Sequence, residues 1–164
     1  MPAGVVCLLS APRLHGLTTR NPWEVWELWM AIRPDARKPS AGNPTLRIFR
    51  FSGAPFTDGV EEQQVDGVTV KVYSAAKTVA DCFRYRNKIG TDVAIEALRD
   101  GWEKRRFKAD ELWHFASLCR VSNAIRPYFE AVAADHAAVW FGASLTAEPA
   151  RWSSLSPTAT RGER

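Results

Sequence analysis

The sequence predicts an α+β fold, and three observations predict it. TLRIFRF at 45–51 alternates like a strand, Asp66-Gly67 sits as a turn between EEQQV and VTVKVY, and from Ala75 onward the apolar spacing becomes helical. Strands first and helices afterwards is the order of an α+β domain rather than of alternating βαβ units. The expected architecture is a short N-terminal helix, a small and mostly antiparallel sheet with a hairpin, then a bundle of about four helices.

Taken in order, Ala3 to Ser10 suits a short buried helix that Pro12 ends, because a proline inside a helix removes a donor and clashes with the preceding turn. Gly16 opens the chain into a loop. Residues 22–32, PWEVWELWMAI, fit two patterns: Asn21-Pro22 with Glu24 resembles a helix start, whereas Trp, Val and Ile favour a strand buried on both faces. The strand is the preferred reading. A linker from Arg33 to Pro44 leads to the strand at 45–51, which sets Leu46, Ile48 and Arg50 against Arg47, Phe49 and Phe51. Asp66-Gly67 then predicts a two-residue hairpin turn, since both central positions accept positive φ.

Helices are expected over 75–88, 92–104, 109–119 and 123–138. Ser74 is placed to cap the first and Gly90 to stop it. Val93, Ala94, Ala97 and Leu98 share one side of the second; Asp110 opens the third; Pro127 falls near the start of the fourth. Residues 1–139 read as one domain, and 140–164, rich in Ser, Thr, Ala, Pro and Arg, as a disordered tail.

The chain of 164 residues is long enough for one domain with a real core. Seven Trp and eight Phe supply anchors for that core or for a partner. A net charge of +4 favours an acidic or polyanionic partner without naming one. Cys7, Cys82 and Cys119 are odd in number and far apart, which supports neither a disulfide framework nor a zinc site. The run from Val5 to Leu9 lacks a preceding basic residue, unlike a signal peptide, and no stretch is apolar for long enough to span a bilayer. A cytoplasmic protein is expected.

The usual markers of catalysis are missing from the sequence: no phosphate-binding Gly-rich loop with a following Lys, no G-x-G-x-x-G and no G-x-S-x-G. His15, His114 and His136 fit no helical metal pair, and the cysteines sit among apolar neighbours. Asp58, Glu61, Glu62 and Lys71 surround the hairpin without forming the acidic element of a metal-dependent nuclease. Asp81, inside an apolar helix beside Lys and Arg, reads as half of a structural ion pair. A non-enzymatic protein with no cofactor and no metal site is expected.

What remains is cationic. KTVADCFRYRNKIG at 77–90 carries Val79, Cys82 and Phe83 at helical spacing with Lys77, Arg84, Arg86 and Lys88, which reads as a basic stripe beside an apolar one. Arg47 and Arg50 on the strand, and Lys104, Arg105 and Arg106 after Trp102, are the supporting candidates. With Phe49, Tyr85 and Trp102 these cations can line a surface that contacts phosphates, DNA being the first candidate, or an acidic partner. An ordinary solvated basic face is the competing reading.

PAGVVCLLSA (2–11) with HGLTT (15–19), RIFRFSG (47–53), VYSAAKTVADCFRYRNKIGTDVAIEALRD (72–100), CRV (119–121) and RPY (126–128) together resemble the AbiEi family of bacterial antitoxins and transcriptional regulators. The resemblance covers residues 2–133. It implies the antitoxin of a type IV toxin–antitoxin (abortive infection) system, opposing a nucleotidyltransferase-like toxin without requiring a stable complex with it. Family members carry an N-terminal winged helix-turn-helix that binds their own promoter; this chain starts where the second, antitoxin domain starts. DNA-binding autoregulation is therefore the weaker expectation, and a truncated, nonfunctional remnant the third. Two departures stand out: Ala11-Pro12-Arg13-Leu14 replaces an aromatic-bearing helix end, and VWELWMAI runs a few residues longer than its counterpart.

Overall fold

A computed structural model describes residues 4–17, 27–40 and 44–144. The chain is α+β: five strands, β1 (Val5–Val6), β2 (Glu27–Ile32), β3 (Thr45–Arg50), β4 (Val60–Val65) and β5 (Val68–Tyr73), form one sheet in the order β3-β2-β1-β5-β4. Around it lie α1 (Ser10–His15), α2 (Ala54–Thr57), α3 (Ala75–Arg84), α4 (Arg86–Ile89), α5 (Thr91–Glu103), α6 (Ala109–Leu118) and α7 (Ser122–Ser144). The sheet is mixed rather than mostly antiparallel. β1–β2 and β4–β5 run antiparallel, but β1–β5 and β2–β3 run parallel. Parallel neighbours need a long connection, and the linker at 33–44 provides one between β2 and β3.

The N-terminal segment corrects the expected helix at 3–10. Val5 and Val6, β-branched and buried, form the central strand, and the helix comes afterwards. Leu8 turns the chain at φ 48°, and Pro12 falls in the first turn of α1, where a missing N–H costs little. Gly16, at φ 65°, ends the helix in the left-handed conformation. His15 then fastens α1 to the sheet: Nε2 donates to the Tyr73 carbonyl at 2.6 Å, and Nδ1 accepts from the Gln63 amide at 3.4 Å.

The hairpin forms as expected, with Asp66 and Gly67 at φ 51° and 79°. β2 occupies 27–32 of the segment read as a strand; residues 22–26 lie outside the described residues. The helices after Ser74 match the predicted run closely, with one break. Tyr85 (φ −104°, ψ 18°) separates α3 from α4, and Gly90 at φ 97° ends α4. The last helix begins at Ser122, so Pro127 lies beyond its first turn and removes one ladder bond. It also continues to Ser144, into the expected tail; residues 145–164 lie outside the described residues.

The largest core lies among the helices. Val79, Ala80, Cys82 and Phe83 of α3 pack with Ala94, Ala97 and Leu98 of α5, Leu112 and Ala116 of α6, and Ile125 of α7. A second cluster joins Val5, Cys7, Trp29, Ala31, Phe51 and Tyr73 of the sheet to Phe49 and Tyr85. Residues Ala75 to Phe83 are all buried, so α3 is a central helix and not an amphipathic surface one. Among the described residues no helix is long and apolar enough to cross a membrane.

Candidate anion-binding surface

The site begins with the break at Tyr85. α3 stops there with the Tyr85 N–H donating to Asp81 O at 2.9 Å. The ring swings against the sheet: it stacks on Phe51 (centroids 5.7 Å, 10°) and meets Phe49 edge-on at 5.3 Å. Phe49 in turn stacks on Trp29 at 5.1 Å, and Phe51 on Tyr73 at 6.0 Å. The strand alternation that puts Phe49 and Phe51 on one side of β3, and the parallel register of β3 with β2, thus produce a continuous belt of five rings.

Three exposed cations stand on this belt. Arg84 lies 5.7 Å from both the Phe51 and Tyr85 ring centres, Lys88 5.9 Å from Phe49 and 5.8 Å from Tyr85, and Arg47 5.6 Å from Trp29. Contacts of this kind hold a charge in place at about 0.5–1 kcal/mol each when exposed. Arg47 also pairs with Glu27 at 3.0 Å, whereas Arg84 and Lys88 have no carboxylate partner among the described residues. The indole N–H of Trp29 is buried without an acceptor among the described residues.

The other candidates separate from this group. Lys77 is a correction: it is fully buried, because its ammonium meets both carboxylate oxygens of Asp81, one turn on, at 2.6 Å. Its Nζ also lies 4.4 Å from the Tyr73 ring centre and 5.2 Å from that of Phe51. Arg50 points to the opposite side of β3 and donates to the carbonyls of Arg33, Pro34 and Ala36, closing the turn after β2. Arg86 donates to Phe83 O at 2.8 Å, satisfying the end of α3. Lys104 is held by Asp100 at 2.8 Å and by Gly16 O at 2.6 Å. Arg105 and Arg106 are exposed in the α5–α6 loop, Arg105 beside a hollow of about 620 Å³ floored by Trp102 and Phe107. The predicted surface is therefore smaller than its set of cations, and Trp29 is the ring that periodicity did not single out, whereas Phe51 shares the Phe49 side of the predicted strand.

Beneath the belt lies a dry ionic core. Burial pushes the Asp81 carboxyl up, and the Lys77 ammonium and the Cys119 thiol act against it. Asp81 is the structural ion-pair partner expected from the sequence. All three cysteines are buried. Burial raises each thiol, with the Asp81 charge adding to it, Cys119 to about 11. Among the described residues no three His, Cys, Asp or Glu side chains form a group able to hold a metal ion.

No known family model matches this chain, and no curated protein does either.

Proposed function

We propose that this chain is a cytoplasmic, non-enzymatic antitoxin of the AbiEi kind, acting against a nucleotidyltransferase-like toxin through the cationic corner of Arg84, Lys88 and Arg47. The resemblance of residues 2–133 supports the family. The observation that carries the site is that Arg84 and Lys88 rest on aromatic rings with no carboxylate partner among the described residues. Surface cations usually find an acid or wander; two that rest on rings with no direct ion pair among the described residues, Arg84 feeling the buried Asp81 charge only through space, form a preorganised receptor for an anionic partner. No stable complex with the toxin is required for this reading.

The test is a growth assay in which a nucleotidyltransferase-like toxin is induced with or without the chain. Wild type restores growth, and Arg84→Glu/Lys88→Glu restores little of it while accumulating to the same level. Failure of wild-type chain to protect would remove the antitoxin reading. Full protection by the double variant would move its activity to another surface.

A further inference from the structure

We infer that Arg84, Tyr85 and Lys88 form a clamp for a phosphoryl group, with the Tyr85 hydroxyl as its neutral donor. This rests on the cationic corner being the working surface and goes on to name what it holds. The three residues come from one turn of chain, and the break between α3 and α4 brings them together. Arg84 and Lys88 each lie within 6 Å of the Tyr85 ring centre, at 5.7 and 5.8 Å, on a ring that Phe51 and Phe49 hold from the sheet side. The Tyr85 hydroxyl makes no hydrogen bond among the described residues, although this ring is half-buried and fixed. Burial raises the phenol above its ordinary value despite Arg84, so at neutral pH the hydroxyl keeps its proton to donate.

The donor set selects the ligand. A guanidinium, an ammonium and a protonated phenol offer chiefly positive charge and N–H or O–H donors; of the nearby acids, Glu27 is committed to Arg47, and Asp81, whose charge reaches Arg84 and Tyr85, to the buried Lys77. A tetrahedral phosphoryl oxygen cluster accepts several such donors at once and gains from each charge. The ring faces are already occupied by neighbours and cations, which leaves little room for base stacking and favours contact with phosphate over contact with bases. The phosphoryl group can belong to a nucleic-acid backbone or to a free nucleotide, and both present the same chemistry here.

The experiment is fluorescence anisotropy of a labelled single-stranded oligonucleotide across salt concentrations, with unlabelled nucleoside triphosphate as competitor. Tyr85→Phe keeps the ring and every charge; it should weaken binding about tenfold with the salt slope unchanged, the signature of a lost hydrogen bond. Lys88→Gln and Arg84→Gln should each reduce the salt slope by about one, whereas Arg105→Gln should leave both quantities alone. Competition by triphosphate at equal phosphate concentration identifies the free nucleotide as ligand, and its failure identifies the strand; either supports the clamp. Wild-type affinity in Tyr85→Phe, or an undiminished slope in both charge variants, overturns it. Far-ultraviolet circular dichroism and a thermal melt of each variant separate these results from misfolding. A clamp that binds phosphate while Tyr85→Phe still protects cells fully would leave this inference standing and count against the proposed antitoxin surface.

Discussion

Replacing Lys77 by Met should be among the most damaging single changes in the core, although it removes a charge from an apolar place. Nζ lies 2.6 Å from both Asp81 oxygens, and both side chains are 0% exposed. With an effective dielectric of about 20, charges at that separation attract by about 6 kcal/mol before desolvation is counted. Desolvation cancels most of this for the intact pair, but removing one partner leaves the other buried alone, which costs about 3–5 kcal/mol. For a chain of this size each kcal/mol moves the melting temperature by about 2–4 °C, so Lys77→Met should melt about 10 °C lower. Lys77→Met/Asp81→Leu should recover most of that loss and be more stable than either single variant, the non-additivity expected in a double-mutant cycle when removing either partner strands the other. The pH dependence has a definite sign. Burial raises the folded-state Asp81 carboxyl, and the variant lacks the ammonium that opposed this. The folded form then binds the proton more tightly than the unfolded one, so stability falls as pH rises from the ordinary carboxylate range, near 4, toward the raised folded value. Scanning calorimetry at pH 4 to 7 should show the deficit relative to wild type widening upward. A single variant that melts with wild type, or a deficit that shrinks as pH rises, would refute the reasoning.

Three further changes test the surroundings of the site. Gly59→Ala should destabilise by about 1–3 kcal/mol in urea unfolding, since Gly59 has φ 75° and an added Cβ would sit 2.8 Å from Phe115 Cζ; Gly59→Ala/Phe115→Leu should regain part of it. The thiols should be silent toward an aromatic disulfide reagent at pH 8 and all react in denaturant, because the three are buried and Cys119, for one, is pushed up to about 11. Fast reaction of any one in the native chain would contradict that packing. Trp29→Phe should cost less than about 1 kcal/mol in the same urea assay, the smaller ring's lost burial being offset by removal of an unsatisfied N–H.

The sequence was most legible where local chemistry decides the conformation. Asp66-Gly67 announces its turn because both residues tolerate positive φ, and the apolar spacing of Val93, Ala94, Ala97 and Leu98 marks the buried side of α5. Val5 to Leu9 was illegible because a short apolar run fits a buried strand or a buried helix equally, and only pairing with β2 and β5 resolves it. Lys77 was misplaced for a different reason. Periodicity assigns a cation to the solvent side by default, yet the Asp81 four residues later was a signal that the charge could be satisfied inside. The site itself depends on Tyr85 leaving the helix, which sequence spacing over 77–90 does not announce, and on Trp29 coming from a segment that two patterns fitted.

The enclosure of Lys77 gives this domain an internal clock. Its amine is shut between two rings and a carboxylate, so an acylating reagent that modifies the exposed Lys71 and Lys88 at once should reach it only when the fold opens. Mass spectrometry of residue 77 against those two would then time the opening of α3 from the sheet, in the purified chain or in a living cell, from one native side chain and without any label.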